Sequence, residues 1–488
     1  MTERLTFNTP GRSNAAPAAP SVMATPDDPI EVVAAERPER RDWAFTFLLA
    51  FTALVFLRPQ DSFPPLQYLH LAELCAIAAL GALIGGRLGR NLPVTRMTPE
   101  LMGVIALGGV ILITAPFSIW FGGAVGTFKE IYSKIILIYL LMVNVLTTPR
   151  RIERITWLLV LASGYLAFRA VFDYVRGVHL VENERVQGAV GGIFKNPNDL
   201  ALNMVAMLPL AIFIALRPGP LPRRAIAAWC ALMMLGSIVA SHSRAGTLGL
   251  VTMLGVLAIL LIKRHPGLVL GGVIVAALAA PMLPSSYWNR IASITDSSLD
   301  ETGSREARRQ LFHESLQAFV ENPITGVGAG EFKNWNPDGR QQPWRESHDV
   351  LLQVAAELGV LGLALFLYLI ARGALCVRES RRLLRLAVPN SRRARSDPSG
   401  RAARTPAIRL APGEYEFLDA HTAAMAAALA GWFVCALFAS VAYNWTFYYL
   451  LALAAAPRDL LLARRDVARS ASRARRAAAT SRLEVARA

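Results

Sequence analysis

The sequence has few charged residues for its length, and this scarcity excludes an ordinary soluble protein. Of its 488 residues, 18% are Asp, Glu, Lys or Arg, whereas 54% are hydrophobic. Soluble domains carry roughly 25% charged residues. The long apolar runs therefore predict a protein that lies within a membrane rather than a set of soluble domains.

Cysteine is also scarce, and the spacing and positions of the four cysteines argue against zinc sites and disulfides. The four cysteines have no metal-site spacing, and none falls in a predicted outside loop. We therefore expect neither a structural zinc site nor a disulfide framework. The glycine-rich segment 326–330 lacks a strand–turn–helix setting and a phosphate-binding lysine, so it is not a nucleotide-binding loop.

Twelve apolar segments are long enough, or nearly long enough, to cross a bilayer as helices. The sequence therefore predicts an all-α polytopic membrane protein. The predicted spans are 42–58, 67–85, 101–119, 131–147, 154–173, 199–216, 225–240, 246–262, 267–283, 350–371, 418–439 and 442–462.

The positive charges predict how these spans are oriented. The chain carries 51 Lys and Arg against 35 Asp and Glu, a formal net charge of +16. With the N-terminus in the cytoplasm, every short inside loop holds two or three basic residues, as the positive-inside rule requires. An odd number of spans would reverse this pattern, so we predict an even count and both termini in the cytoplasm.

Three basic or low-complexity segments lie on the predicted inside. Residues 1–41 lack the apolar region of a signal peptide and predict a disordered cytoplasmic tail. Residues 372–417 predict a basic cytoplasmic loop, and 463–488 a basic tail. Their arginine clusters are compatible with nucleic acid, but we expect topology signals lying against anionic lipid, and no nucleic-acid partner.

The predicted outside face carries two long segments, at about 174–198 and at 284–349. The second is the large loop between spans nine and ten, and its REARRQLFHESLQAFVE stretch has the apolar spacing of an amphipathic helix. Residues 284–348 hold seven Lys or Arg against nine Asp or Glu, so this loop is not broadly basic. Its arginines would have to act individually.

Four segments in this order resemble a known family. They are RVQGAVGGIFKNPNDLA (185–201), SHSRAG (241–246), RRQLF to NPITGVG (308–328) and SHDVLLQ to ELG (347–359). The chain thereby resembles the O-antigen ligase and O-antigen polymerase superfamily of bacterial envelope glycosyltransferases. It departs from that pattern at Asp349, where Asn is usual, at Phe312, where Trp is common, and at Ala245, which replaces the first Gly.

The resemblance implies a reaction at the periplasmic side of the bacterial inner membrane. The donor would be a glycan linked to undecaprenyl pyrophosphate, and the acceptor would be a hydroxyl of lipid A–core or of another glycan. Membrane lipid would be the other partner, and neither a cofactor nor a metal would be needed. The active site would face the large periplasmic loop between spans nine and ten.

Arginines suit the leaving group of such a reaction, because a guanidinium matches phosphate oxygens bidentately and stays charged. We expect Arg244 and Arg308 to be catalytic and Arg305 to support Arg308 in substrate binding. The alternative for Arg244 is that it extends to the membrane interface without binding substrate.

His348 is the third expected catalytic residue, because an imidazole there can accept the acceptor hydroxyl's proton or hold that hydroxyl. The alternative is a helix-capping role, although Ser347 or Asp349 would cap better. His242, two residues before Arg244, is a weaker candidate.

A second polar cluster precedes span six. Arg185 is expected to hold phosphate, and Lys195 and Asn198 are expected to bind substrate, although Asn198 equally suits a helix N-cap. Glu357, nine residues into predicted span ten, is interpreted as a structural hydrogen-bonding residue.

Three transfer reactions remain open: ligation to lipid A–core, which the loop position favours, polymerisation of repeat units, and transfer to protein hydroxyls. A lipid-linked glycan transporter or flippase is the alternative from another class. Glu73, Arg169 and Glu357 within the spans keep that alternative open.

Overall fold

The computed structural model describes residues 42–182, 184–263, 265–294, 296, 298, 303–387, 408 and 410–485. The predicted tail 1–41, residues 388–407 of the predicted basic loop and residues 486–488 lie outside this part. Within it, the chain is helical apart from turns and one short antiparallel hairpin of β1 (Leu180–Val181) and β2 (Arg185–Val186). The predicted all-α polytopic fold is confirmed.

Sixteen α-helices follow one another in the described part of the chain. They are α1 (Trp43–Leu57), α2 (Pro59–Ser62), α3 (Leu71–Leu88), α4 (Pro99–Thr114), α5 (Phe121–Thr127), α6 (Ser133–Val145), α7 (Pro149–Arg176), α8 (Pro197–Leu216), α9 (Leu221–Ala240), α10 (Arg244–Leu261), α11 (Pro266–Ala279), α12 (Ser285–Ala292), α13 (Ser304–Glu321), α14 (Val350–Leu386), α15 (Pro412–Ala436) and α16 (Trp445–Val485).

Nine helical segments among the described residues are long and apolar enough to cross a membrane. They contain α3, α4, α7, α8, α9, α10, α14, α15 and α16. Helices α11 and α12 would make a tenth span if they are counted together across a bend of 103°. Each of the twelve predicted spans falls on a helix, but α1, α6 and α11 are short, so the number twelve stays a prediction.

Two helices continue beyond their predicted membrane ends. Helix α14 runs to Leu386, 15 residues past the predicted end at 371, and α16 runs to Val485. The prediction that 372–417 is a loop is therefore wrong at both ends, since α15 also begins at Pro412. Hydropathy marks where a helix leaves the membrane, whereas the α14 extension continues because Cys376, Ser380 and Leu384 keep one face buried.

Small and polar residues let the central helices pack closely. Helix α8 has 72% of its most apolar window buried, and α16 has 83%. The buried Thr446 hydroxyl of α16 donates to the Asn203 side chain of α8 at 3.1 Å, and Thr52 of α1 bonds Tyr449 of α16 at 2.8 Å. These two buried hydroxyl contacts thus join α16 to α8 and to α1, as polar side chains between spanning helices often do.

A buried ion-pair cluster joins three helices far from the start of α14. Glu100 of α4 is fully buried, and its carboxylate lies 2.6 Å from Arg458 of α16 and 2.7 Å from Arg372 of α14. The Cys376 thiol also donates to Glu100 at 3.2 Å. Removing one member would leave an uncompensated buried charge, so the cluster ties α4, α14 and α16 together.

Helix α14 is broken at Gly359, whose backbone is left-handed at φ 66°. The glycine-rich segment 323–330 fills the break. The Val327 amide donates to the Ala356 carbonyl at 2.9 Å, the Gly328 amide donates to the Glu357 carbonyl at 3.0 Å, and the Val360 amide donates to Pro323 at 2.8 Å. Backbone groups released by the break are therefore bonded again, as they must be in a spanning helix.

Glu357 belongs to this same structural unit. Its carboxylate accepts a hydrogen bond from the Gly330 amide at 2.8 Å, and the side chain is buried. The interpretation of Glu357 as a structural hydrogen-bonding residue agrees with this contact. Two segments that carried the family resemblance, 326–328 and 357–359, are thus partners in one packing arrangement.

Candidate active site

A cavity of about 130 Å³ lies where the starts of α8, α10 and α14 approach the β1–β2 hairpin, α12 and α13. Five of the seven predicted site residues line it: Arg185, Asn198, Arg244, Arg308 and His348. They come from segments up to 163 positions apart in the chain, so the fold brings together what the motifs only suggested. The remaining lining residues are Glu182, His242, Arg290, Ala307, Leu311 and Arg345.

Positive charge dominates the described lining of this cavity. It contains five guanidinium groups and one carboxylate, which leaves a formal excess of four positive charges. Three of the arginines, Arg290, Arg308 and Arg345, come from the loop that is not basic as a whole. The loop therefore contributes three of its seven positive side chains to the cavity, and such a lining suits a ligand with several negative charges.

Arg185 is held by contacts on two sides. Its Nε donates to the Ser241 carbonyl at 3.1 Å, and its Nη2 donates to the Asn198 side-chain oxygen at 2.8 Å. Burial, and then the nearby positive charge of Arg290, lower the pKa of Arg185 to about 10. The guanidinium therefore stays charged at neutral pH and is fixed in one orientation.

The Asn198 side chain links the hairpin to the turn that precedes α10. Its side-chain oxygen accepts hydrogen bonds from Arg185 and from the Ser243 hydroxyl, both at 2.8 Å. The helix N-cap is Asn196, whose side chain accepts the Asn198 amide at 2.8 Å, so the capping alternative for Asn198 is wrong. Its oxygen is already used twice, which favours positioning Arg185 over contacting a ligand.

Arg244 is the first residue of α10. Ser243 caps the helix by accepting the Gly246 amide at 3.1 Å, and Gly246 lets α10 approach α8, because a Cβ there would lie 2.7 Å from the Ala201 Cβ. The Arg244 Nη1 donates to the Ser293 hydroxyl at 2.9 Å. This contact directs the side chain to the cavity wall, not outward to lipid.

Glu182 lies between two of the arginines. Its carboxylate is 3.1 Å from Arg290 and 3.6 Å from Arg185. It is the one acidic residue of the described cavity lining, and its backbone is left-handed at φ 56°. Between the two guanidinium groups, this carboxylate occupies a position that suits a phosphate oxygen.

His348 immediately precedes Asp349, and Asp349 is the cap of α14. The Asp349 carboxylate accepts the Leu351 and Leu352 amides at 2.8 and 2.9 Å, so the capping alternative for His348 is wrong. The His348 backbone is left-handed at φ 54°, and its amide donates to the Ser440 hydroxyl at 2.9 Å. A strained backbone conformation that is stabilised by surrounding residues, here by Ser440, is a feature of functional sites.

The electrostatic setting of His348 keeps its ring neutral. Burial lowers the pKa of His348 to about 4, and the positive charges of Arg308 and Arg345 add to the effect. At neutral pH the imidazole therefore keeps a free electron pair that can accept a hydrogen bond or a proton.

His242, a weaker candidate from the sequence, also lines the cavity. Its Nδ1 lies 2.9 Å from the Glu184 carbonyl, which accepts only, so Nδ1 carries the hydrogen. The Nε2 atom is buried and has no hydrogen-bond partner among the described residues. Burial lowers the pKa of this ring too, and it packs between Tyr174 and Tyr287.

Two predicted substrate-binding residues lie outside the cavity lining. Lys195 is exposed at the end of the turn that precedes α8, and Arg305 is exposed on α13. Conversely, the sequence motifs missed Arg290 and Glu182, which only the tertiary fold brings to the cavity, and Arg345, which lies three residues before His348 and outside the motif. Within the described ranges, no group of three or more His, Cys, Asp or Glu is arranged to hold a metal ion.

One protein-family model matches part of the chain. Residues 229–367 match the family model described as O-antigen ligase. The match confirms the resemblance to the O-antigen ligase and polymerase superfamily. A search of curated proteins found no match to the chain. The matched O-antigen ligase region begins in α9 and ends in α14, so it contains Arg244, Arg308 and His348. Together with the apolar helices, it indicates a multi-pass membrane protein with glycosyltransferase-like activity in O-antigen biosynthesis.

Proposed function

We propose that the protein is an O-antigen ligase of the inner membrane. It would transfer O-polysaccharide from undecaprenyl pyrophosphate to a hydroxyl of lipid A–core at the periplasmic side. The observation that carries this proposal is the convergence of five arginines and a neutral His348 on one cavity. Such a cavity suits a reaction whose leaving group is a pyrophosphate and whose nucleophile is a hydroxyl.

The proposed reaction breaks the bond between the sugar C1 and the pyrophosphate oxygen, and the electron pair stays on that oxygen. Arg244 and Arg308 stabilise the growing negative charge, with Arg185 as a fixed third cation. The acceptor oxygen forms the new bond to C1. Preorganised cations need no rearrangement as this charge develops, which makes them effective.

His348 receives the acceptor's proton in this scheme. Its pKa of about 4 is low for a base. A bound pyrophosphate would offset the positive charges of Arg308 and Arg345 and raise that pKa. The donor would therefore increase the basicity of His348, and the acceptor would be activated after the donor is in place.

Some predicted roles are revised by the contacts. Asn198 is proposed to position Arg185 and not to bind sugar, because its oxygen already accepts two hydrogen bonds. Arg305 and Lys195 are given no part in catalysis. The absence of a metal or cofactor requirement stays a prediction.

The charged residues within the spans that supported the transporter alternative have local partners. Glu73 lies 3.4 Å from Lys134, Arg169 donates to the Tyr165 hydroxyl at 3.4 Å, and Glu357 bonds Gly330. The cavity lies at the start of α14 and not midway along the helices. These observations favour transfer over transport.

Reconstitution tests the proposal directly. Purified protein in vesicles is given lipid-linked polymer and either lipid A–core or a lipid-linked repeat unit, and products are separated on gels. We expect product only with lipid A–core. A longer lipid-linked chain would instead identify a polymerase, and no product with either acceptor would contradict the transferase proposal.

Variants then test the residues. We expect His348→Ala and Arg244→Ala to abolish transfer while the protein inserts and purifies normally. The matched controls are His265→Ala, which lies at the other end of α10, and Arg176→Ala, which stacks on Phe172 outside the cavity. Full activity of either cavity variant would contradict the proposed mechanism.

A further inference from the structure

Helix α13 presents three distinct faces. Leu311, Ser315 and Ala318 are buried, and the first and last of these belong to a small core that includes Ala356 of α14. A second face carries Glu306, Gln310, Gln317 and Glu321 and is polar and acidic. At 3.6 residues per turn, these two faces leave a third side of the helix between them.

The third face of α13 is apolar and exposed. Phe312, Leu316 and Val320 recur every fourth residue and are 48%, 41% and 67% exposed. Arg305 and Arg309 precede Phe312 and Leu316 by seven residues each, so both arginines lie on the same stripe. This stripe therefore has an apolar end and a basic end.

The chain after α13 enters the outer part of a spanning helix. Val327 bonds Ala356, six residues beyond the start of α14, and Pro323 bonds Val360. Six residues correspond to about 9 Å along a helix. The C-terminal end of α13 thus lies beside the membrane-spanning part of α14 and not above it.

Exposed apolar side chains continue from the stripe onto that span. Ile324, which follows α13, is 67% exposed, and its carbonyl adjoins Gly359. Next to it along α14, Val360 and Leu361 are 51% and 56% exposed. Since α14 is a candidate span, these two side chains face lipid, and the α13 stripe extends that lipid-facing surface.

The turn before α5 also indicates that the end of α13 lies near the membrane surface. The Ile119 amide donates to the Val327 carbonyl at 3.1 Å, which places the turn before α5 against the segment that follows α13. This turn exposes Phe117, Ile119, Trp120 and Phe121. Tryptophan is enriched at membrane–water interfaces, where one part of the ring is apolar and another is wet.

We propose that α13 lies in the membrane interface, with Phe312, Leu316 and Val320 in the acyl–headgroup boundary and Arg305 and Arg309 at anionic lipid headgroups. The basic and apolar stripe is the arrangement found in interfacial helices. The acidic face points to water. This inference concerns the bilayer and does not depend on the transfer reaction.

Site-specific photocrosslinking tests the apolar contact. The photoreactive residue p-benzoylphenylalanine replaces Leu316 or Val320 in the full chain, in bilayers of phosphatidylethanolamine and phosphatidylglycerol. Gln317 and Glu321, on the acidic face, are the matched control positions. We expect lipid adducts, measured by mass spectrometry, to be severalfold more abundant at 316 and 320.

Equal adduct yields on both faces would overturn the proposal. So would protein–protein adducts at 316 or 320, which would make the stripe an interface with another chain. Intact mass and gel filtration verify that each variant is folded before irradiation.

The basic end of the stripe is tested in the same bilayers. We expect the Arg305→Gln and Arg309→Gln pair to lower the ratio of phosphatidylglycerol to phosphatidylethanolamine adducts at 316, because the headgroup attraction is lost. An unchanged ratio would overturn the assignment of headgroup contacts to these arginines.

Discussion

The two histidines that line the cavity differ in their hydrogen-bond partners and in the charges near them. His348 and His242 are both imidazoles with left-handed backbones, and burial lowers the pKa of each. They differ in their partners. His348 is close to Arg308 and Arg345, whereas the Nδ1 of His242 is committed to a carbonyl.

The first prediction concerns the pH dependence of transfer. In the proposed mechanism His348 must be neutral to accept a proton, and burial lowers its pKa to about 4. Since kcat/KM reports the free enzyme, its acid limb should lie near pH 4, well below the usual range of histidine. Arg345→Gln removes a positive charge that lowers this pKa, so the limb should move to higher pH. An unmoved limb would show that another group is responsible.

The second prediction concerns His242. Its buried Nε2 has no partner among the described residues, and a buried unpaired nitrogen is unfavourable for folding. His242→Phe should retain the packing between Tyr174 and Tyr287 while removing both ring nitrogens, including the Nδ1 that donates to the Glu184 carbonyl. If a substrate hydroxyl is the partner of Nε2, kcat/KM should fall about three- to tenfold. Loss of the Nδ1 hydrogen bond should lower the Tm slightly, and a lowered Tm with unchanged kcat/KM would indicate a structural role only.

At the scale of the element, α14 combines a span, a break and an extension. The predicted start at 350 agrees with the helix, because Asp349 is a strong N-cap. The break at Gly359 was not predicted, since an isolated glycine is common in spanning helices. Its left-handed backbone depends on the segment 323–330, which is distant in the chain and therefore invisible to local patterns.

The third prediction tests this break. In Gly359→Ala the added Cβ would lie 2.4 Å from the Ile324 carbonyl oxygen, and the left-handed backbone would add about 1–3 kcal/mol of strain. We expect a clearly lower Tm and reduced transfer. Gly373→Ala in the same helix is the control, because its Cβ would meet neighbours only at 3.4 Å or more. Equal Tm values for the two variants would contradict a special role for Gly359.

At the scale of the whole molecule, the sequence predicted the helical class and much of the cavity. Arg185, Arg244 and His348 were found because they occur within recognisable motifs. Arg290 and Glu182 were not, because they are recruited by the packing of α12 and the hairpin against distant helices. Arg345 was missed because it lies three residues before His348, just outside the motif. Charge counting over 284–348 did not reveal the cavity's positive lining, since no acidic residue among the described residues of that loop lines the cavity.

The fourth prediction belongs to the bundle as a whole. Glu100→Gln would leave Arg372 and Arg458 without their shared carboxylate, at a cost of about 3–5 kcal/mol. We expect a large drop in Tm in detergent and a lower yield of inserted protein. Glu379→Gln is the control, because Glu379 is 44% exposed and 3.6 Å from Arg458. Similar losses in both variants would argue against the buried cluster as the tie between α4, α14 and α16.

The position of Glu182 has a consequence for turnover. Any anion that enters the cavity must compete with this carboxylate for Arg290, and so must any anion that stays after a reaction. The competition weakens the binding of reactant and product alike. In the proposed transfer, five arginines without an internal competitor would hold a released pyrophosphate lipid more tightly. The hairpin carboxylate would then make product departure easier, at the expense of some initial affinity.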